Sequence, residues 1–262
     1  MGWSQAFQYL RANASQRGAS GAGARVDQDL PLGARIGSVL KLQQTPLIRA
    51  GGDGALIAMP RAGDTRIVAI EQLALNLAGS LYRYYLATGD IDDEQAFLQI
   101  YQNAHGEVGE IMYCTRVARL IPETAADQDV YTGAAGAGLG ERSYTIWRAQ
   151  LAELGYDAAT LDLAFGHDDG IAYWRDAGDP ASDFIAPYRG SATRIDDAGG
   201  QHGRRRDIYF MPYARELRGG GSEHLLITTA ILTSVDGDAS QRGIDVEFVV
   251  GIPLEQERIV IQ

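Results

Sequence analysis

SLYRYYLATGDIDDEQAFLQIYQN, residues 80–103, carries five aromatic rings on two apolar runs either side of an acidic bend. Alternating runs joined by Gly and Asp form a β-hairpin. Alternation puts Tyr82, Tyr84 and Leu86 on one face of the first run and Leu81, Arg83 and Tyr85 on the other. The second run separates Leu98 and Ile100 from Phe97, Gln99 and Tyr101. Tyr82, Tyr84, Leu98 and Ile100 are expected in the core. A guanidinium or amide is costly to bury without partners, so the Arg83 and Gln99 face is expected half exposed, with Tyr85 and Tyr101 side by side on it.

On both sides of this hairpin the chain is β-rich. Short extended segments punctuated by glycine are expected at 35–42, 55–59, 65–70 and 110–120, an extended piece at 170–176, and C-terminal strands at 224–234, 244–251 and 257–262. Residues 123–142, including GAAGAGLGER, lack apolar periodicity and read as a mobile loop. Tyr144, Trp147, Leu151 and Leu154 recur at helical spacing between Ser143 and Gly155, which predicts a helix over 144–154. The expected class is therefore α+β: a predominantly antiparallel β-sheet with one or two packed helices, preceded by a flexible N-terminal tail.

That tail divides the chain into residues 1–27 and a single domain, 28–262. Trp3, Phe7 and Leu10 stand at i, i+4 and i+7, one face of a short amphipathic helix, and NASQRGASGAGAR, residues 13–25, is a Gly/Ala/Ser tether. Such a helix either folds back on the domain or docks to a membrane surface or partner groove. MGWSQA departs from a myristoylation signal at Ala6.

With 262 residues, 45% of them hydrophobic, the chain can bury a full core. A net charge of −11 argues against nucleic-acid partners. A single cysteine, Cys114, leaves no internal disulfide and suits a reducing, cytoplasmic setting. The sequence has no apolar run of membrane-spanning length and no secretory signal.

Several chemistries fail on spacing. Gly133, Gly136, Gly138 and Gly140 satisfy neither GxGxxG nor a P-loop pattern. His105, Glu107 and Glu110 lack the P-C-x-x-C partner of zinc deaminases. Cys114 with His105 as base is a candidate nucleophile, but unpaired cysteines more commonly serve as small buried hydrophobes. Residues 236–247 place Asp236, Asp238, Ser240 and Glu247 at calcium-loop positions, but Gln241 stands where glycine is required, so an acidic hairpin turn is the better reading. His167, His202 and His224 can ligate a metal only through tertiary proximity. Arg204–Asp207, RRRD, reads as a solvated loop. No catalytic residue, metal or cofactor is assigned.

LPLGARIGSVLKL at 30–42, SLYRYYL, AFLQIY, YTIWRAQL and GIAYWR together resemble the YjfK-like family of bacterial proteins, a domain of unknown function, over about residues 28–262. The resemblance brings no catalytic residues. It implies genomic company with phage-shock-type membrane-remodelling proteins, and so a cytoplasmic accessory role in envelope stress, peripheral at the inner membrane. The expected function is thus a non-enzymatic adaptor whose Trp3, Phe7 and Leu10 face docks to such a partner or to the membrane surface. The alternative is a small-molecule-binding domain or enzyme with an aromatic pocket of Arg83, Tyr85 and Tyr101.

Overall fold

The computed structural model describes residues 25–61, 63–89, 95–232 and 243–262. In chain order the strands are β1 (Val39–Leu42), β2 (Thr65–Leu75), β3 (Ser80–Leu86), β4 (Ala96–Gln102), β5 (Val108–Leu120), β6 (Ser143–Trp147), β7 (Gly170–Arg175), β8 (Tyr188–Ile195), β9 (Gly203–Glu216), β10 (Ser222–Leu232), β11 (Gly243–Pro253) and β12 (Ile259–Ile261). The helices are α1 (Thr45–Gly52), α2 (Ala125–Thr132), α3 (Arg148–Glu153) and α4 (Ala158–Phe165).

The strand order β2-β3-β4-β5-β11-β10-β9-β8 returns to β2, because β8 pairs with both β9 and β2, and every pairing is antiparallel. Eight strands therefore close into a barrel with no free edge. The two long strands β2 and β9 run beyond the barrel. The start of β2 pairs with β1, which carries β12, and the far half of β9 pairs with β7, which carries β6.

This corrects the α+β expectation: the fold is mostly β, and the four α-helices among the described residues are six to eight residues long. The helical period read over 144–154 is partly strand. Ser143–Trp147 pairs along β7, and helix begins only at Arg148. Of the four apolar residues in that period, Leu151 is buried, whereas Trp147 and Leu154 are exposed. Residues 123–142 hold α2, whose N-cap Thr124 accepts from the Asp127 amide and whose C-cap Gly133 is left-handed. The glycines that follow mark close backbone approaches: a Cβ at Gly140 would stand 2.2 Å from the Ile185 carbonyl oxygen.

Bonds that cross the barrel identify its inner face. Arg83 on β3 donates to Thr228 on β10, four strands away in either direction around the barrel, at 2.8 Å. Phe97, Cys114, Phe210 and Leu226 share that face, and the Tyr85 and Phe97 rings lie 5.4 Å apart. A Cβ at Gly251 would stand 3.0 Å from Cys114 Sγ, so this part of the lumen is filled by side chains. The larger apolar core lies outside the wall. There Tyr84, Leu98, Tyr113 and Leu225 are covered by Leu47, Leu56, Leu139 and Leu161 of the segments wrapped around the barrel. The hairpin's two faces are thus both buried, one in each core.

Candidate functional site

The structure brings Arg83 and Tyr85 together inside the barrel. Arg83 is 0% and Tyr85 2% exposed, so the half-exposed face expected from sequence does not form. Tyr85 faces Phe97 across the ladder and Tyr101 faces Leu81; the two tyrosines are not neighbours, and Tyr101 donates its hydroxyl to the Ala78 carbonyl at 2.7 Å. Partners make the burial of Arg83 tolerable. Its Nε donates to Gln99 Oε1, and its Nη1 lies 3.8 Å from Glu71 Oε2 and 3.7 Å from Glu247 Oε2. Arg206, the third arginine of RRRD, is also buried, on β9, and donates to Glu71 Oε1 at 2.9 Å. Two glutamates and two arginines compensate one another in the lumen, and Tyr85 donates to Glu71 at 2.9 Å. Glu247, read from sequence as a calcium-loop position, belongs to this cluster; positions 236–242 of that motif lie outside the described residues. So do Trp3, Phe7 and Leu10.

Cys114 is fully buried on the lumen face, and burial pushes its thiol up to about 12. His105 sits on the exposed β4–β5 turn, where Asn103 Oδ1 accepts from the His105 and Glu107 amides. A thiolate nucleophile is disfavoured at Cys114. Folded protein is expected to leave this thiol unreacted with Ellman's reagent at mildly alkaline pH, and the urea-unfolded chain to release one equivalent; fast reaction of the folded chain would contradict the burial. Among the described residues no group of three His, Cys, Asp or Glu is placed to hold a metal, and no helix is long and apolar enough to cross a membrane.

The accessible chemistry lies where β9 leaves the barrel. Cross-strand neighbours form one row, Cys114–Gly251–His224–Ala214–Trp174–Ser143, that starts on the lumen face and ends on the open β9–β7–β6 sheet. Two tryptophans stand on that sheet, Trp174 at 58% and Trp147 at 51% exposure, with Ala172 and Gly170 between them on β7. A groove of about 620 Å³ runs beside Trp174, with Phe165, Ala172, Ala214 and Ser222 in its walls. A second, of about 560 Å³, lies on the other side of the β9–β10 turn and also includes Ser222.

Ser222 and His224 project from the same side of β10. The Ser222 hydroxyl lies 3.2 Å from His224 Nε2, and His224 Nδ1 lies 3.4 Å from Asp176 Oδ2. The hydrogen bond from His224 holds the Asp176 carboxyl below the usual carboxylate range. Between them Glu223 points the opposite way and is fully buried. It accepts from the Leu56 amide at 2.6 Å, the Tyr173 hydroxyl at 2.8 Å and Arg215 Nε at 2.7 Å. Sequence reasoning left His224 as an isolated histidine and did not consider Ser222 or Asp176. The S-x-H spacing on a strand is the only local signal, since Asp176 arrives through the β7–β9 pairing.

Comparison with protein-family models, curated proteins and solved structures gave no match.

Proposed function

We propose that the protein is an adaptor, the accessory role in envelope stress that the YjfK-like resemblance implies, and that it grips a partner protein on the open β7–β6 sheet. The carrying observation is the pair of half-exposed tryptophans on the last strand of the sheet and its neighbour. The bonds from Arg148 N to Asp169 O and from Arg175 N to Arg142 O fix the ladder so that the amides and carbonyls of Ser143 and Thr145 point away from β7. An added strand can bond there, with every second side chain lying over the tryptophans. Residues 141–183 hold nine carboxylates against three arginines, a net of −6 out of the chain's −11, so the favoured occupant is an extended cationic segment with alternate apolar side chains.

The test is fluorescence anisotropy with a labelled octapeptide alternating Lys and Phe, and with its Glu-for-Lys counterpart. Saturable, salt-weakened binding of the lysine peptide is expected, reduced roughly 30-fold in Trp174→Ala, as for an interface residue contributing about 2 kcal/mol. Equal binding of both peptides, or binding unchanged in Trp174→Ala, would overturn the reading.

A further inference from the structure

We propose that Ser222, His224 and Asp176 form an acyl-transfer site that hydrolyses small carboxylic esters, an activity beyond the docking role, beside the same Trp174 face. The three side chains stand in the order that activates a hydroxyl: Asp176 against Nδ1 and Ser222 against Nε2. An ionised carboxylate only accepts hydrogen bonds. It therefore keeps the imidazole proton on Nδ1, and Nε2 is left as acceptor for the serine hydroxyl. Such a constellation is recognised by geometry and roles, not by chain order.

The surroundings supply what a nucleophile alone lacks. An ester has groups on both sides of its carbonyl, and Ser222 borders both grooves. The first groove has apolar walls at Phe165, Ala172 and Ala214 and charged ones at Asp168, Arg215, Glu216 and Arg218, which suits a short acyl group. Ser222 follows a triglycine turn whose own bonds run from Gly220 N to Leu217 O and from Leu217 N to Gly221 O. Neither bond uses the Gly221 amide, one residue before the nucleophile. At Gly220 and Gly221 the backbone is left-handed, with φ of 83° and 89°, and nothing lies within 4 Å of where a Cβ would stand. A carbonyl oxygen can therefore approach this backbone closely, with the Gly221 N–H as the candidate donor to the developing oxyanion.

The reaction balances without a further reagent. Ser222 Oγ adds to the ester carbonyl carbon while its proton passes to His224 Nε2. The C–O bond to the alcohol then breaks, and the alcohol leaves with that proton. Water repeats the sequence on the acyl-serine: His224 takes a proton from water, the hydroxide adds to the carbonyl, and Ser222 departs reprotonated, releasing the carboxylic acid.

The experiment treats the full chain with a fluorophosphonate probe and maps the label by mass spectrometry, alongside p-nitrophenyl butyrate hydrolysis. One label on Ser222 is expected. Turnover should fall to the buffer rate in Ser222→Ala and at least about 100-fold in His224→Ala, the usual contribution of a general base. Circular dichroism confirms that each variant is folded. No label on Ser222 in the native protein, or hydrolysis that survives Ser222→Ala, overturns the proposal, and neither result bears on peptide docking.

Discussion

Glu71→Gln is expected to destabilise the protein by about 3–5 kcal/mol, the cost of breaking a buried ion pair by neutralising one partner. Gln keeps the volume, so the loss is electrostatic. Arg83 and Arg206 would be left facing each other across the lumen with Glu247 as the remaining carboxylate of the cluster. The network has little slack: among the described residues, Arg83 Nη1 and Arg206 Nε already lack a hydrogen bond. Replacing Glu71 and Arg206 together with leucine removes a compensated pair, and should cost much less than the two single losses added. Urea unfolding measures all of these. A loss under about 1 kcal/mol in Glu71→Gln would mean that the lumen admits water and screens the charges.

The same residue gives a pH signature. Burial alone would push the Glu71 carboxyl up, but the Arg206 and Arg83 guanidiniums, with hydrogen bonds from Arg206 and Tyr85, hold it below the usual range. A depressed folded-state value stabilises the fold fully above the unfolded value, near about 4.3, and the gain disappears as pH falls through the lower folded value. Wild type should lose stability over that acid window more steeply than Glu71→Gln, which has no proton to bind there. Parallel slopes would remove Glu71 from the linkage.

The fate of Glu71 also shows what was legible in the sequence. Strands with apolar residues on both faces were readable, and the second run of the 80–103 hairpin forms β4 (Ala96–Gln102). β8 and β9 were missed, β9 because Arg204–Asp207 reads as a solvated loop although it lies within the strand. A one-dimensional pattern cannot show that Arg206 meets Glu71 on β2, 135 positions away. The barrel was hidden for the same reason: closure depends on β8 pairing back to β2, and a polar inner face imitates an outer one. The site divided likewise. Trp147 and Trp174 were visible but taken as sheet and helix packing, while Ser222, His224 and Asp176 acquire meaning only when β9 leaves the barrel and brings β7 alongside.

Glu223 ties that site to the fold, and Glu223→Gln is expected to cost about 3–5 kcal/mol as well. Three donors converge on its carboxylate, and one of them, Arg215, also donates from Nη2 to the Gly54 carbonyl at 2.6 Å, so the residue anchors the 54–56 segment to the barrel wall. Burial opposes the charge on Arg215, but Glu223 outweighs it and raises the guanidinium above its ordinary value; with glutamine in place that compensation is lost. Tyr173→Phe deletes only one neutral donor and should cost about 1 kcal/mol. Amide exchange at Leu56 should therefore quicken in Glu223→Gln and change little in Tyr173→Phe. Ser222 and His224 flank Glu223 on β10 with the opposite orientation, so loosening this anchor should also lower fluorophosphonate labelling of Ser222 while the chain remains folded. If Tyr173→Phe, which keeps the ring, costs as much as Glu223→Gln, the anchor is the hydrogen bond from the Tyr173 hydroxyl and not the pairing of the carboxylate with Arg215.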